Sequence, residues 1–264
     1  MNPAIDHITI DELRIAVQWP GKHDATPLVF LHGLGDSSIM TFSRIATHPA
    51  LAALPSLLID LPGFGHSRAP VDWPATIEDH AAAVAATLDV LGITDATISG
   101  HSMGGSTALV LAASRPDLVT RLVLAEPLLR KEQSSLAIAI ANRSERVFID
   151  RGYEMLRVAT RRQAARGELA AIGFREPLEH AQPEILHRSA VSLLADRTPS
   201  FEKTLASLRI PRVIIAGERT PVAPDLLPDD VPLIRIPDAG HSMMSENPDA
   251  YARAVAAAVT SPSG

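Results

Sequence analysis

The stretch Ser99-Gly100-His101-Ser102-Met103-Gly104-Gly105 decides how this chain is read. It sits between the apolar run Ala96-Thr97-Ile98 and a helix-like run from Thr107 to Ser114. A serine with glycine two residues away on either side, at a strand-to-helix junction, has the pattern of a nucleophile elbow. Such a turn is sharp, and a side chain at position 100 or 104 would collide with the neighbouring strand or helix. Glycine removes the collision. The turn lifts the Ser102 hydroxyl above the sheet edge and leaves the next amide at a helix N-terminus, where negative charge is favoured.

Gly-His-Ser occurs three times, at 65–67, 100–102 and 240–242, and only the middle copy has glycine two residues after the serine. The first copy lies in Leu61-Pro62-Gly63-Phe64-Gly65-His66-Ser67-Arg68-Ala69-Pro70, where the prolines argue for a loop. The third follows Pro237-Asp238-Ala239 and precedes Met243-Met244. Ser102 is therefore the candidate nucleophile.

Outward from this stretch, strand and helix signals alternate. Ile5 to Ile10 and Leu13 to Trp19 read as a hairpin ending at Pro20-Gly21. Pro27 to Leu31 and Ser56 to Ile59 are continuous apolar runs, as expected of strands covered on both faces. The first ends in the glycine-rich loop His32-Gly33-Leu34-Gly35-Asp36-Ser37-Ser38, which leads into a helix. Thr76 to Leu91 carries alanine and leucine at helical spacing, with Thr76 and Asp79 placed as a capping box and Gly92 as a stop. Asp95 to Ser99, Leu122 to Ala125, Ile210 to Ala216 and Val231 to Ile236 read as further strands, Met103 to Ser114 and Asn247 to Val259 as helices, and Thr260 to Gly264 as a frayed tail. The expected fold is α/β, a mostly parallel sheet with helices on both faces. Residues 128–208 break the alternation with helical patterning at Ser134 to Ile149, Tyr153 to Ala165, Pro183 to Leu194 and Phe201 to Leu208. They read as a helical insertion in a core made of 1–127 and 209–264.

Composition limits the function classes. The 264 residues are 46% hydrophobic with 4% aromatic, enough for a large aliphatic core. A net charge of -6 makes no electrostatic case for nucleic acid or an anionic membrane as partner. No cysteine is present, so disulfides, thiolate metal sites and a cysteine nucleophile are excluded. Met1 to Asp6 lacks the basic-then-apolar order of a signal peptide, and no apolar run approaches the roughly 20 residues needed to span a bilayer, so a cytoplasmic location is expected. No ligand spacing suggests a metal, and neither Gly-x-x-x-x-Gly-Lys nor Gly-x-Gly-x-x-Gly after the first parallel strand is present. The partner expected is a small-molecule substrate; oligomeric state is not legible.

Taken together, His32-Gly33-Leu34-Gly35, Asp60-Leu61-Pro62-Gly63-Phe64-Gly65-His66-Ser67, Gly100-His101-Ser102-Met103-Gly104 and the late Gly240-His241 make the chain resemble a cap-bearing α/β-hydrolase over nearly its full length. The resemblance is specific for the fold and weak for the substrate, because that superfamily spans esterases, lipases, lactonases, thioesterases, peptidases and carbon–carbon bond hydrolases. It implies no cofactor, with 128–208 as the cap. A serine hydroxyl needs a base. Of ten histidines, His241 stands after the last strand and before the last helix, where the chain order serine, acid, histidine puts the base; the alternative is a histidine that packs the final helix. His32, His66 and His101 read as loop-shaping residues. The oxyanion hole is expected at the backbone amides of Leu34 and Met103.

The acid departs from the commoner pattern of the family. Many relatives carry aspartate in a Gly-x-x-Asp turn after the penultimate strand, but here that turn reads Gly217-Glu218-Arg219-Thr220. Other members place the carboxylate after the strand that follows the elbow helix, which is the place of Glu126. Glu218 and Asp225 compete for the role, and Glu126 could instead pair with a cap arginine such as Arg130 or Arg143. Substrate contacts are expected from Asp36, Met40 and Phe64 and from the cap residues Leu128, Leu129, Phe148 and His187, each of which reads equally well as ordinary core or helix surface. The expected activity is cleavage of a carboxylic ester or lactone of a small apolar molecule through an acyl-enzyme. The alternatives are carbon–carbon bond hydrolysis of a vinylogous diketone acid and a ligand sensor with little turnover.

Overall fold

The computed structural model describes residues 4–19, 27–223 and 225–260. Eight strands form one sheet: β1 (Ile5–Ile10), β2 (Leu13–Gln18), β3 (Leu28–Leu31), β4 (Ser56–Ile59), β5 (Ala96–His101), β6 (Val119–Ala125), β7 (Arg212–Gly217) and β8 (Leu233–Ile236). Their order across the sheet is β1-β2-β4-β3-β5-β6-β7-β8. β1, β2 and β4 pair antiparallel, and every pairing from β4 to β8 is parallel. The chain therefore crosses over the sheet on helices α1 (Ser38–Ala46), α2 (Ile77–Val90) and α3 (Met103–Ser114), with α10 (Met243–Glu246) and α11 (Pro248–Thr260) after β8.

The two-residue period of a strand splits the core into two layers. Val29 and Leu31 of β3, Ile98 of β5 and Leu122 and Leu124 of β6 join one cluster with α2 and α3. Leu28 and Phe30, Val123 and Ala125, and Val213 and Ile215 join the other with α1 and α11. Because both faces are covered, β3 and β4 are buried at every position, which is why they read as continuous runs. Helix α3 is likewise buried along most of its length, from Met103 to Ala112.

The capping box expected at Thr76 is present. Asp79 N–H donates to Thr76 Oγ1 at 3.1 Å, and Thr76 N–H donates to Asp79 Oδ2 at 2.9 Å. Gly92 closes α2 with φ +66°. Strand β5 runs two residues further than its apolar signal, because Gly100 and His101 keep pairing with Leu124 and Ala125 of β6. The hairpin end at Pro20-Gly21 and the tail 261–264 lie outside the described residues; Thr260 belongs to α11.

Between β6 and β7 run α4 (Ser135–Ala141), α5 (Glu145–Val147), a π-helical turn over Phe148–Gly152, α6 (Tyr153–Ala165), α7 (Leu169–Glu179), α8 (Pro183–Leu194) and α9 (Phe201–Ser207). Helix α7 has no counterpart among the sequence expectations. Gly167, Gly173 and Pro177 weaken its signal, and tertiary packing overrides them: a side chain at 173 would overlap the hydroxyl of Ser245. Helix α8 is pinned to the core. Ile77 N–H donates to Ser192 Oγ at 3.0 Å, and the Gln182 side chain exchanges two hydrogen bonds with the Ala69 backbone. Helix α9 packs on α3. Among the described residues no helix is long and apolar enough to cross a membrane.

The glycines of the elbow are a packing requirement. A Cβ on Gly100 would overlap the Gly104 carbonyl, and one on Gly104 would overlap the carbonyl oxygens of Leu31 and His32. Gly92 has nothing within 4 Å of that position. Gly104→Ala is therefore expected to lose about 3 kcal/mol or more, because backbone and not a flexible side chain must move. Gly92→Ala should lose only about 1 kcal/mol, the cost of a left-handed alanine. Chemical denaturation of the two variants measures the difference.

Candidate active site

The strand-to-helix turn holds Ser102 at φ 51° and ψ -117°, outside the common regions for a residue with a Cβ. The turn is fixed on both sides. Ser102 N–H donates to Ala125 O at 2.9 Å, and Ser102 O accepts from Gly105 and Ser106 N–H at 3.0 and 3.1 Å as α3 begins. Met103 is the first residue of α3, so its N–H has no acceptor within the helix. Strain of this kind persists only where the surroundings over-determine it, and it places the Ser102 side chain in the wall of a cavity.

The loop after β3 is braced from below. His32 Nδ1–H donates to Gly33 O at 2.7 Å, and His32 Nε2 accepts from Leu61 N–H at 2.9 Å. Both ring nitrogens are used in the neutral form, so His32 shapes the loop. Ser67, from the first look-alike motif, is sealed in the core: it donates to Asp60 O at 2.6 Å and accepts from Ala16 N–H at 2.7 Å. Ser242, from the other copy, lies at the start of α10 and lines the cavity.

Glu126 follows β6, and its backbone N–H donates to Ile215 O of β7 at 2.9 Å. Its carboxylate is nearly buried, with the side chain 7% exposed. Oε2 accepts from His241 Nδ1–H at 2.6 Å and Oε1 from Gly217 N–H at 2.9 Å, and the Thr220 hydroxyl adds a third bond. Burial pushes this carboxyl up, but the bonds from His241, Gly217 and Thr220 outweigh it and hold the group below the ordinary glutamate value of 4.5. With its proton on Nδ1, neutral His241 presents a lone pair at Nε2, which is what a general base requires.

The turn that lacks the common aspartate thus donates hydrogen bonds to the carboxylate of the next strand. The other two carboxylates considered from sequence lie elsewhere. Asp225 is exposed and paired with Arg130 at 2.9 Å, and Glu218 accepts from Asp238 N–H at 3.2 Å. Arg130 also binds Glu202, and Arg143 donates to the Ala139 carbonyl, so neither arginine partners Glu126.

The His241 loop is clamped by residues that no sequence signal marked. Glu246 accepts from Gly240 N–H and from Arg219 Nη2, both at 2.6 Å, and Arg219 N–H donates to Ala239 O at 2.9 Å. His101 Nε2–H donates to the His241 carbonyl at 3.0 Å, and the two rings lie 4.7 Å apart. Burial first, and then the His241 ring, push the His101 imidazole down to about 3, so it stays neutral.

Ser102, His241 and Glu126 line one cavity of about 720 Å³. Leu34, Asp36, Leu128 and Leu129 line it as expected, joined by Thr41, Phe174 and residues of α4 and α6. Four expected contact residues do not. Phe64 is fully buried under the loop, edge-on to His32 at 5.4 Å. Phe148 packs against Tyr153 and His187 within the insertion, and His187 Nε2–H donates to Arg143 O at 2.7 Å. Met40 lies outside the lining, where Thr41 of the same turn of α1 is present instead. Spacing along the chain says which residues share a helix, but not which side of it the cavity meets.

The chain belongs to the alpha/beta hydrolase family, whose model matches residues 28–254. Lipase LipV of Mycobacterium tuberculosis is 38% identical over 112 residues, 42% of this chain and 41% of that protein. A 2-hydroxy-6-oxononadienedioate/2-hydroxy-6-oxononatrienedioate hydrolase of Burkholderia vietnamiensis is 38% identical over 115 residues, 43% of this chain and 40% of that protein. The chain thus matches less than half the length of these relatives. An enol-lactonase structure from Burkholderia xenovorans LB400 superposes with a TM-score of 0.77 at 22% identity, covering 97% of this chain and 100% of that one, which speaks for the fold.

The Glu126 shift has a signed consequence. A carboxyl held below its unfolded value contributes stability above about pH 5 and loses it as pH falls through the lowered value. Glu126→Gln lacks that contribution. The stability gap between wild type and Glu126→Gln should therefore narrow from about pH 6 to about pH 3 in denaturant titrations. A gap independent of pH would contradict the assignment.

Proposed function

We propose that this chain is a cofactor-free serine hydrolase that cleaves a carboxylic ester or lactone of a small, largely apolar molecule through an acyl-enzyme. The observation that carries this reading is the 2.6 Å bond between His241 Nδ1 and Glu126 Oε2 in the wall of the cavity that also holds Ser102. In this reading His241 Nε2 takes the Ser102 proton as Oγ attacks the carbonyl carbon. The Leu34 and Met103 amides hold the oxyanion. Collapse of the tetrahedral intermediate expels the alcohol oxygen, which receives the proton from His241. Water then attacks the acyl-serine with His241 as base, releasing the acid and free Ser102. Glu126 keeps the tautomer and stabilises the imidazolium. Segment 128–208 serves as the cap through α4, α6 and α7, which contribute to the lining, while α9 packs on α3.

The cavity lining favours an ester or lactone that carries no negative charge over a vinylogous diketone acid. Among the described residues that line it there is no lysine or arginine, whereas Asp36, Glu126, Glu132 and Glu168 are acidic. A substrate carboxylate would meet like charge and no partner.

Turnover of p-nitrophenyl butyrate and labelling by a fluorophosphonate test the proposal. Ser102→Ala should lower kcat by about 10⁶ and abolish labelling. Glu126→Gln should lower kcat by about 10⁴ with KM little changed. Glu218→Gln and Asp225→Asn should stay within about threefold of wild type. One equivalent of acylation without turnover would point to a ligand sensor, and full activity in Glu126→Gln would remove it from the triad.

A further inference from the structure

Asp36 stands two residues after Leu34 in the loop that frames the cavity. It is 8% exposed and lines the cavity. Its two protein contacts fall on one oxygen: Oδ1 accepts from Ser37 N–H at 2.8 Å and from Thr41 Oγ1–H at 2.6 Å. Oδ2 makes no hydrogen bond among the described residues, and Asp36 lines the cavity.

Among the described residues no lysine or arginine pairs with this carboxylate. The His32 ring spends both nitrogens on backbone groups in its neutral form. Asp60, behind the same loop, adds a second negative charge and is occupied by Ser37, Ile39 and His66. At the rim, Glu132 and Glu168 are exposed acids, of which Glu168 is shared with Arg166 at 2.9 Å. Burial pushes the Asp36 carboxyl above the ordinary range against the pull of His32, Thr41 and Ser37, and a cation seated beside it would favour its ionised form. Phe174 lines the same cavity as Asp36, and a Cβ on Gly35, next in sequence to Asp36, would stand 3.1 Å from the tip of its ring. That pairing suits an alkylammonium group, which takes Coulomb attraction from one and cation–π attraction from the other.

We propose that the cavity selects substrates carrying an ammonium group a few bonds from the scissile carbonyl, seated between Asp36 and Phe174. This rests on the ester-hydrolase reading above. The reach follows from the chain: the Cα atoms of Leu34 and Asp36 are at most about 7 Å apart. The charge can therefore sit on the acyl or on the alcohol side of the ester.

Two isosteric ester pairs test it. On the acyl side, p-nitrophenyl 4-(trimethylammonio)butyrate is compared with p-nitrophenyl 5,5-dimethylhexanoate. On the alcohol side, butyrylcholine is compared with 3,3-dimethylbutyl butyrate. In at least one pair the ammonium ester should be preferred about tenfold or more in kcat/KM, and mono-p-nitrophenyl glutarate should be the poorest substrate. Asp36→Asn should bring the preferred pair's ratio to about one, a readout that does not depend on how much active protein is recovered. In the unaltered protein, butyltrimethylammonium should inhibit hydrolysis of the uncharged ester competitively. Hydrolysis of both uncharged esters without an ammonium preference overturns the inference and leaves the hydrolase intact. A preference that survives Asp36→Asn overturns it as well. No turnover of any ester, with Ser102 unlabelled by a fluorophosphonate, overturns the hydrolase reading itself.

Discussion

A buried carboxylate needs several donors to stay ionised, and Glu126 collects three of them from two parts of the chain. His241 comes from the loop after β8, and Gly217 and Thr220 come from the turn after β7. The peptide N–H of Glu126 itself is tied to β7. Any shift in the register of β6 against β7 would leave this charge without partners, so the parallel pairing of the two strands and the geometry of the site are one constraint. The His241 loop depends on the same corner through the link from Arg219 to Glu246 and Gly240.

The other side of the site is fixed by backbone contact. Gly100 and Gly104 let β5 and α3 approach each other and the end of β3 at distances that exclude a Cβ, and the strained Ser102 is held between them. Here rigidity comes from atoms that cannot move. The insertion contrasts with this. Helix α8 is pinned to α2 and to the loop at Ala69, while α6 and α7 pack mainly on each other, with α7 resting on α1 and α10 across the cavity. The sheet edge thus supplies fixed chemistry, and the helices above it supply shape and charge.

Much of this was legible in the chain. The apolar runs of β3 and β4, the capping box at Thr76 and the glycine spacing around Ser102 are local patterns, and each corresponds to an observed element. Helices α6 and α8 begin and end at the expected residues. Helix α7 was hidden because Gly173 and Pro177, which weaken an isolated helix, are accommodated by tertiary packing. For the cavity, Leu34, Asp36, Leu128 and Leu129 were legible from their place beside the motifs, whereas Phe64, Phe148 and His187 are core residues whose apolar or aromatic character looks the same in both roles.

The sequence by itself determined the sheet, the elbow and the set of groups from which a triad can be built, because periodicity, glycine spacing and chain order are properties of a linear pattern. It left three carboxylates in competition. Only the tertiary structure decided which of them meets His241, since that depends on the adjacency of β6 and β7 and on donors from a turn 91 residues further along the chain. The charge of the cavity was decided there too. Arg130, Arg157, Arg161 and Arg188 of the insertion are paired with Glu202, Glu154, Glu179 and Glu145 away from the lining, and the Asp36 carboxylate takes both of its hydrogen bonds on one oxygen. Hydrogen bonds between segments distant in sequence, not composition, set that balance.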